Sequence, residues 1–237
     1  MKIKKQIVYF KNDVYLNKSR YNNPKENFKF LIKLLKAEKL NNKFSLLDVG
    51  CSNGELLYNL NNFFKKASLT GIDVDGKLLN KAKKICPKNI VFLKKNISNT
   101  NLKIGKFDVI ILSGVLSIFK NSEKILRNLL SLLKSRGKIF IFDSLNVYSY
   151  NLYIKSETFE QNKKRVLYKN MYSTAFLKKF FKKCGKKTKF IPFVLKTNIK
   201  KDKKNPINGW TENLSGKKIV TSGLGLIQRQ FWIKVFD

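Results

Sequence analysis

The sequence LLDVGCSNGE at residues 46–55 joins an apolar run to a turn that contains two glycines. The apolar run begins at Phe44 and ends at Val49, and a helical pattern of apolar residues starts at Glu55. A strand that turns through glycine into a helix lets the backbone approach a ligand at the carboxyl end of the strand, where open α/β sheets bind ligands. The stretch therefore predicts a ligand-binding strand, loop and helix.

The spacing of the glycines argues against two kinds of phosphate-binding loop. Gly50 and Gly54 are four positions apart, and Ser52 stands where the dinucleotide-binding pattern G-x-G-x-x-G needs a glycine. The pattern G-x-x-x-x-G-K-[ST] of phosphate-cradling loops is also missing. The loop is therefore expected to hold a ligand other than a dinucleotide or a triphosphate.

Outward from this loop, segments with strand and helix patterns alternate. We predict strands at 44–49, 68–72, 90–93, 107–112, 138–142, 189–195 and 228–236, and helices at 27–40, 55–66, 75–86, 122–133 and 174–183. Residues 136–137 are predicted to form a turn, 144–172 an inserted lid, and 197–216 a polar loop. The alternation indicates an α/β fold, doubly wound, with helices on both faces of a mostly parallel sheet.

The charge of the chain permits two interpretations. Of 237 residues, 50 are Lys or Arg and 15 are Asp or Glu, so the formal net charge is +35. Such a charge suits a polyanionic partner such as nucleic acid. However, the basic residues are nearly all lysines scattered along the whole chain, which is also rich in Asn, Ile and Phe. We favour a biased genome composition as the cause, with nucleic acid as the alternative.

Two features of the composition restrict the chemistry. The chain has no histidine, which removes the usual general base and the commonest metal ligand. Its three cysteines are widely spaced with no C-x-x-C pair, so we expect no metal site and no disulfide framework. The longest apolar run, 109–119, is too short to span a bilayer, and the N-terminus lacks an apolar export segment. We expect a soluble, cytoplasmic protein.

Polar residues recur where the predicted parallel strands end. Asp73 follows the second strand, Asn96 the third and Ser113 the fourth. Together with the loop at 46–55, this ordered series resembles the class I S-adenosylmethionine-dependent methyltransferase family over about residues 44–145. The resemblance implies a Rossmann-like, seven-stranded sheet whose last strand is antiparallel, and S-adenosylmethionine as the cofactor.

The resemblance also implies a role for each residue of the series. The loop would lie against the methionine part of the cofactor, Asp73 would bind the ribose hydroxyls, and Asn96 would meet the adenine amino group. Residues next to these would cover the adenine or line the reactive methyl, and two upstream residues would hold the cofactor carboxylate. The implied cofactor-binding set is Asp48, Gly50, Cys51, Ser52, Gly54, Asp73, Val74, Asn96, Ile97, Ser113, Gly114, Val115, Tyr21 and Arg20.

The catalytic residues are less clearly indicated. Methyl transfer is a direct displacement that needs a base only when the acceptor must lose a proton. A histidine that is frequent in the family is replaced here by Ser117. If the acceptor is a hydroxyl, the candidates to take its proton are Asp143, Tyr148 and Tyr150.

The leading hypothesis is methylation of a small molecule or of a sugar in a glycan pathway. Residues 1–43 would form a helical segment over the cofactor site, 44–145 the S-adenosylmethionine-binding core, and 146–237 an acceptor-side cap with the C-terminal strands of the same domain. Lys155 and Arg165 would favour an anionic acceptor. The alternatives are an RNA or DNA methyltransferase, whose [DN]-P-P-[YF] and Pro-Cys motifs are absent, and a non-catalytic cofactor-binding module.

Overall fold

The computed structural model describes residue 16 and residues 20–160, 163–201 and 209–237, with no side-chain detail at 158–160 and 163–165. Its helices are α1 (Glu26–Lys36), α2 (Glu55–Phe63), α3 (Gly76–Ile85), α4 (Ser122–Ser131) and α5 (Thr174–Lys183). Its strands are β1 (Ser45–Val49), β2 (Ser68–Asp73), β3 (Val91–Lys94), β4 (Phe107–Ser113), β5 (Leu133–Asn146), β6 (Lys155–Glu160), β7 (Lys163–Tyr168), β8 (Tyr172–Ser173), β9 (Lys187–Phe193), β10 (Trp210–Leu214), β11 (Lys217–Thr221) and β12 (Gln230–Phe236). None of the helices in these ranges is both long enough and apolar enough to cross a lipid bilayer.

The main sheet has the strand order β3-β2-β1-β4-β5-β12-β9. Strands β1 to β5 pair in parallel, whereas β12 runs antiparallel to both β5 and β9. The expectation of a seven-stranded, mostly parallel sheet with its last strand antiparallel is therefore confirmed. The two-residue strand β8 pairs with the end of β5 and adds an eighth member.

Alternating residues of the central strands build an apolar layer on each face of this sheet. Leu46 of β1 belongs to the layer that contains Leu31 of α1, whereas its neighbour Leu47 belongs to the layer that contains Leu126 of α4. All four side chains are completely buried. Because successive side chains of a strand point to opposite faces, a continuous apolar run such as residues 109–112 contributes to both layers.

Three predicted segments differ from the structure. The predicted turn at 136–137 lies within β5, at an irregularity of the strand: Arg136 has φ 61°, and residues 134–137 stand opposite a single residue of β4 before pairing resumes at Lys138. The predicted polar loop at 197–216 contains β10, which pairs with β11 in a hairpin. The predicted lid at 144–172 contains the β6–β7 hairpin.

Two glutamates attach α1 to the C-terminal part of the chain. The carboxylate of Glu26 accepts hydrogen bonds from the N–H groups of Lys196 at 2.8 Å and Thr197 at 2.6 Å. Beyond the other end of the helix, Glu38 pairs with Lys138 of β5 at 3.1 Å and Lys234 of β12 at 2.5 Å. The helix is thus held over the sheet at both ends.

Candidate cofactor and acceptor site

The loop between β1 and α2 is tied closely to β2 and to the end of β4. The N–H groups of Gly50 and Cys51 both donate to the carbonyl of Ile72, at 2.8 Å and 3.0 Å. Gly50 has φ 76°, and a Cβ added there would lie 2.7 Å from the side chain of Val115. Burial raises the pKa of the Cys51 thiol well above its usual value, so Cys51 is a protonated packing residue of the loop.

Asp73, at the end of β2, holds this loop with both carboxylate oxygens. One oxygen accepts a hydrogen bond from the Ser52 N–H at 2.8 Å and the other accepts from the Asp75 N–H at 2.9 Å. Because a carboxylate oxygen accepts two hydrogen bonds, each oxygen keeps capacity for one further donor. The carboxylate is therefore oriented by the backbone and able to accept two hydroxyl groups of a ligand.

The Ser52 hydroxyl is a buried polar atom that no neighbouring group satisfies. Its oxygen is inaccessible to solvent and has no hydrogen-bond partner, and the residue has φ 53°. A buried hydroxyl without a partner costs free energy. A polar group of a ligand bound in the loop would remove that cost.

Asp48 lies buried in β1, beneath the same loop. Burial, with a smaller contribution from the charge of Asp73, raises its pKa to about 7 against the opposing charge of Lys25. Burial in turn lowers the pKa of Lys25, an effect opposed by the carboxylates of Glu55 and Asp48. The loop therefore lies beside three carboxyl groups and the ammonium group of Lys25; the carboxyl groups are those of Asp48, Asp73 and Glu55.

The two upstream candidates lie at the start of α2. The Tyr21 hydroxyl is buried and donates to the carbonyl of Asn53 at 2.6 Å. The Arg20 N–H donates to a carboxylate oxygen of Glu55 at 2.9 Å, and Arg20 is exposed. Both residues therefore contact the loop between β1 and α2 or the first residue of α2, and Tyr21 is packed against the loop.

The predicted adenine-binding residues lie at the ends of β2 and β3. The Asn96 side-chain oxygen accepts the Ser98 N–H at 2.9 Å, and Ile97 is buried. The Ile97 carbonyl accepts a hydrogen bond from Asn128 at 2.6 Å. Val74, next to Asp73, is 40% exposed and presents an apolar surface at the same edge of the sheet.

The end of β4 leaves open space. A Cβ added at Gly114, which has φ 69°, would meet no atom within 4 Å, and the Gly114 N–H donates to the Phe142 carbonyl at 2.7 Å. The Asn27 amide of α1 donates to the Ser113 hydroxyl at 3.4 Å. Helix α1 thus reaches over the carboxyl end of β4, beside the space at Gly114.

Of the three candidate catalytic residues, only Asp143 has a described contact with the segment that follows β4. Its buried carboxylate accepts the Ser117 N–H at 3.0 Å. The rings of Tyr148 and Tyr150 are more than half exposed and stack on each other, with centroids 6.1 Å apart. Lys155 pairs with Glu157 at 2.8 Å, and the Arg165 side chain lies outside the described residues, so the expected basic pair stays a prediction.

Three residues that the sequence did not indicate belong to this region: Lys25, Asn27 and Lys169. Lys25 and Asn27 come from the start of α1, and Lys169 from the segment after β7. A lysine carries no distinguishing signal in a chain so rich in lysine, and Asn27 meets Ser113 across 86 positions of sequence. Only the fold brings them to the site.

The comparisons with known proteins agree with this geometry. A family model described as a methyltransferase domain matches residues 40–207. The candidate methyltransferase 235L of Invertebrate iridescent virus 6 is 27% identical over 101 residues, which make up 43% of this chain and 37% of that protein. The chain thus matches less than two fifths of the length of this curated relative.

Two solved structures share the fold over nearly the whole chain. The structure of DhpI in complex with SAM and HEP is 10% identical, with a TM-score of 0.58 and coverage of 95% of this chain and 96% of that one. The plantazolicin methyltransferase BpumL, in complex with a monoazolic desmethylPZN analogue and SAH, is 17% identical, with a TM-score of 0.56 and coverage of 92% and 87%. Since the family model matches most of the chain and the sheet is mostly parallel with its last strand antiparallel, as expected, the chain belongs to the methyltransferase-domain family and has the fold of the class I S-adenosylmethionine-dependent methyltransferases.

Proposed function

We propose that this protein binds S-adenosylmethionine and transfers its methyl group to a small molecule or to a sugar of a glycan pathway. The observation that carries the cofactor assignment is Asp73, whose carboxylate is oriented by two backbone N–H groups and keeps two acceptor positions. Two adjacent ribose hydroxyls are donors that suit such a carboxylate. Membership of the family supports the same assignment.

Two further observations fit this cofactor. The Ser52 hydroxyl is buried without a partner, which leaves a polar position in the loop for a ligand. The space beside Gly114 is open at the end of β4, where the reactive part of a ligand that starts at Asp73 would extend. The acidic groups of the site suit a ligand that carries a sulfonium and an ammonium.

In this proposal the chain mainly binds and orients. When bound, S-adenosylmethionine supplies an activated methyl group that needs no metal or covalent enzyme intermediate. Asp73 holds the ribose, and Val74, Asn96 and Ile97 surround the adenine. Lys25 donates a hydrogen bond to the carboxylate of the methionine part. Residues 20–43 then cover the donor, and the described part of 146–237 forms the acceptor side; residues 1–15 and 17–19 of the predicted N-terminal segment lie outside the described residues.

The cofactor assignment is tested by thermal unfolding of the wild-type protein. At a concentration of about 100 times its Kd, S-adenosylmethionine should stabilise the fold by about 2.7 kcal/mol and raise Tm by roughly 5–10 °C. NAD at the same concentration is the control and should leave Tm unchanged, because the loop lacks the dinucleotide pattern. An unchanged Tm with S-adenosylmethionine contradicts the proposal.

Affinity for the cofactor should depend on pH through Asp48. Because the pKa of Asp48 is raised to about 7, most molecules carry a proton there at about pH 6 and lose it as the pH rises. A cationic ligand favours the ionised form, so the affinity should rise up to roughly eightfold between about pH 6 and pH 7.5. Isothermal titration calorimetry measures this change, and Asp48→Asn should bind more weakly with a flat profile. An equal pH dependence in the variant contradicts the role of Asp48.

A further inference from the structure

A small cavity is lined by residues of β5 and of the segment that follows β4. In the strand order, β1 and β4 separate β5 from β2, the strand that ends at Asp73. The polar lining of the cavity includes Ser117, Asp143 and Lys169, and Ile154, Met171 and Leu226 contribute apolar walls. The volume within which the centre of a water molecule can move is about 20 Å³, which is enough for one hydroxyl-sized group. The cavity therefore fits the reacting end of an acceptor, with the rest of that molecule outside.

Asp143 is fixed in this cavity by two backbone donors. One carboxylate oxygen accepts the Ser117 N–H at 3.0 Å and the other accepts the Ser144 N–H at 2.9 Å. The preceding residue, Phe142, pairs with Ser113 in the sheet and accepts the Gly114 N–H. The carboxylate thus lies one residue beyond the level of the space at Gly114, and the Ser117 side chain gives it a third hydrogen bond. Since a carboxylate accepts about four hydrogen bonds, one position is left for a donor of a ligand.

Lys169 supplies a cation to the same cavity. Its backbone is fixed, because its N–H donates to the Ile154 carbonyl at 3.0 Å and the next N–H, of Asn170, donates to the Ser117 carbonyl at 2.8 Å. Burial lowers the pKa of Lys169 and the charge of Asp143 opposes that change. Tyr172 also interacts electrostatically with Asp143, and its hydroxyl donates to the Phe119 carbonyl at 2.7 Å.

We propose, building on the proposed function, that this cavity receives a hydroxyl group of the acceptor, that Asp143 takes its proton, and that Lys169 stabilises the oxygen. The acceptor oxygen forms a bond to the methyl carbon while the carbon–sulfur bond breaks, and the electron pair of that bond goes to sulfur. The proton of the hydroxyl goes to the Asp143 carboxylate. The products are a methyl ether and S-adenosylhomocysteine.

The lysine makes oxygen the preferred nucleophile. An amine reaches the site as an ammonium, which the charge of Lys169 repels, whereas an oxygen that gains negative charge during transfer is attracted to it. The pKa of Asp143 is raised to about 6 by burial, against the hydrogen bonds from Ser117 and Ser144 and the charge of Lys169. The carboxylate is therefore ionised at neutral pH and a better base than an exposed aspartate.

The nucleophile is tested with matched acceptors and radiolabelled S-adenosylmethionine. The probes are 4-(hydroxymethyl)benzoate against 4-(aminomethyl)benzoate, and methyl α-glucoside against its 6-amino-6-deoxy analogue; both amino members are ammonium ions at neutral pH. We expect label in hydroxyl members only. Label in amino members, or in none of the probes while S-adenosylmethionine still raises Tm, overturns this inference and leaves the cofactor assignment intact. Absence of the Tm rise is instead a failure of the proposed function.

The role of Asp143 is tested with variants on the hydroxyl acceptor that is labelled. Asp143→Asn should lower kcat by about 100-fold or more while the Tm rise with S-adenosylmethionine persists. The wild-type kcat should fall as the pH drops through about 6, and Lys169→Met should move this fall to higher pH, because the opposing cation is gone. Asp108→Asn, at a carboxylate bound to Ser45 and Lys134, is the control and should keep the wild-type profile. An unchanged kcat in Asp143→Asn, or an unmoved profile in Lys169→Met, overturns the assignment.

Discussion

Asp73→Ala should abolish the rise in Tm that S-adenosylmethionine causes. The variant loses two charge-assisted hydrogen bonds to the ribose, each contributing about 1.5 kcal/mol or more, so the affinity should fall by about 100-fold or more. Thermal unfolding with and without the cofactor measures the loss, and calorimetry gives the change in Kd.

A neighbouring aspartate provides the control for Asp73. The Asp75 side chain caps α3 by accepting the N–H groups of Lys77 and Leu78, at 2.7 Å and 3.3 Å. Asp75→Ala should lower Tm of the free protein, because the loss of such a cap costs about 1 kcal/mol, yet it should keep the rise with the cofactor. If both variants lose the rise equally, the loss reflects a disturbed loop and not ribose binding.

Gly54→Ala should cause a large loss of stability. Gly54 begins α2 with φ 81°, and a Cβ added there would lie 2.8 Å from the Phe92 ring and 3.0 Å from the Cys86 sulfur. The left-handed backbone costs about 1–2 kcal/mol for alanine, and overpacking in a core costs about 1–3 kcal/mol more. The sum corresponds to a fall in Tm of roughly 5–15 °C in thermal unfolding of the free protein.

Gly105→Ala separates the two contributions at Gly54. Gly105 has a similar φ of 88°, but a Cβ added there would meet nothing within 4 Å. Its substitution should therefore cost only the backbone contribution, about 1–2 kcal/mol. Equal losses of Tm in the two variants would show that Phe92 and Cys86 yield to the added methyl group.

The central strands were predictable because both of their faces are buried. Residues 109–112 form a continuous apolar run, and that run matches the interior of β4. Asp73 was predictable for a related reason, since one polar residue directly after an apolar strand marks the edge where ligands bind. The local sequence pattern was therefore sufficient to predict both the central strands and Asp73.

The parts of the structure that the sequence did not predict depend on contacts between distant segments. Strands β10 and β11 are short, and half of their residues are exposed, so no apolar alternation marks them. The irregularity of β5 at Arg136 depends on how β5 pairs with β4, which the local sequence does not indicate. The cavity combines Asp143 with Lys169, from segments separated by the β6–β7 hairpin, and neither their spacing nor their residue types signal that meeting.

The two hydrogen bonds at Glu26 have a consequence for the order of events during turnover. Glu26 is next to Asn27, which reaches Ser113, and its carboxylate binds the N–H groups of Lys196 and Thr197 in the segment after β9. Helix α1 cannot lift away from the donor side without releasing that segment on the proposed acceptor side. In the proposed function, exchange of the donor therefore requires these two hydrogen bonds to break, which couples that step to the position of the segment after β9.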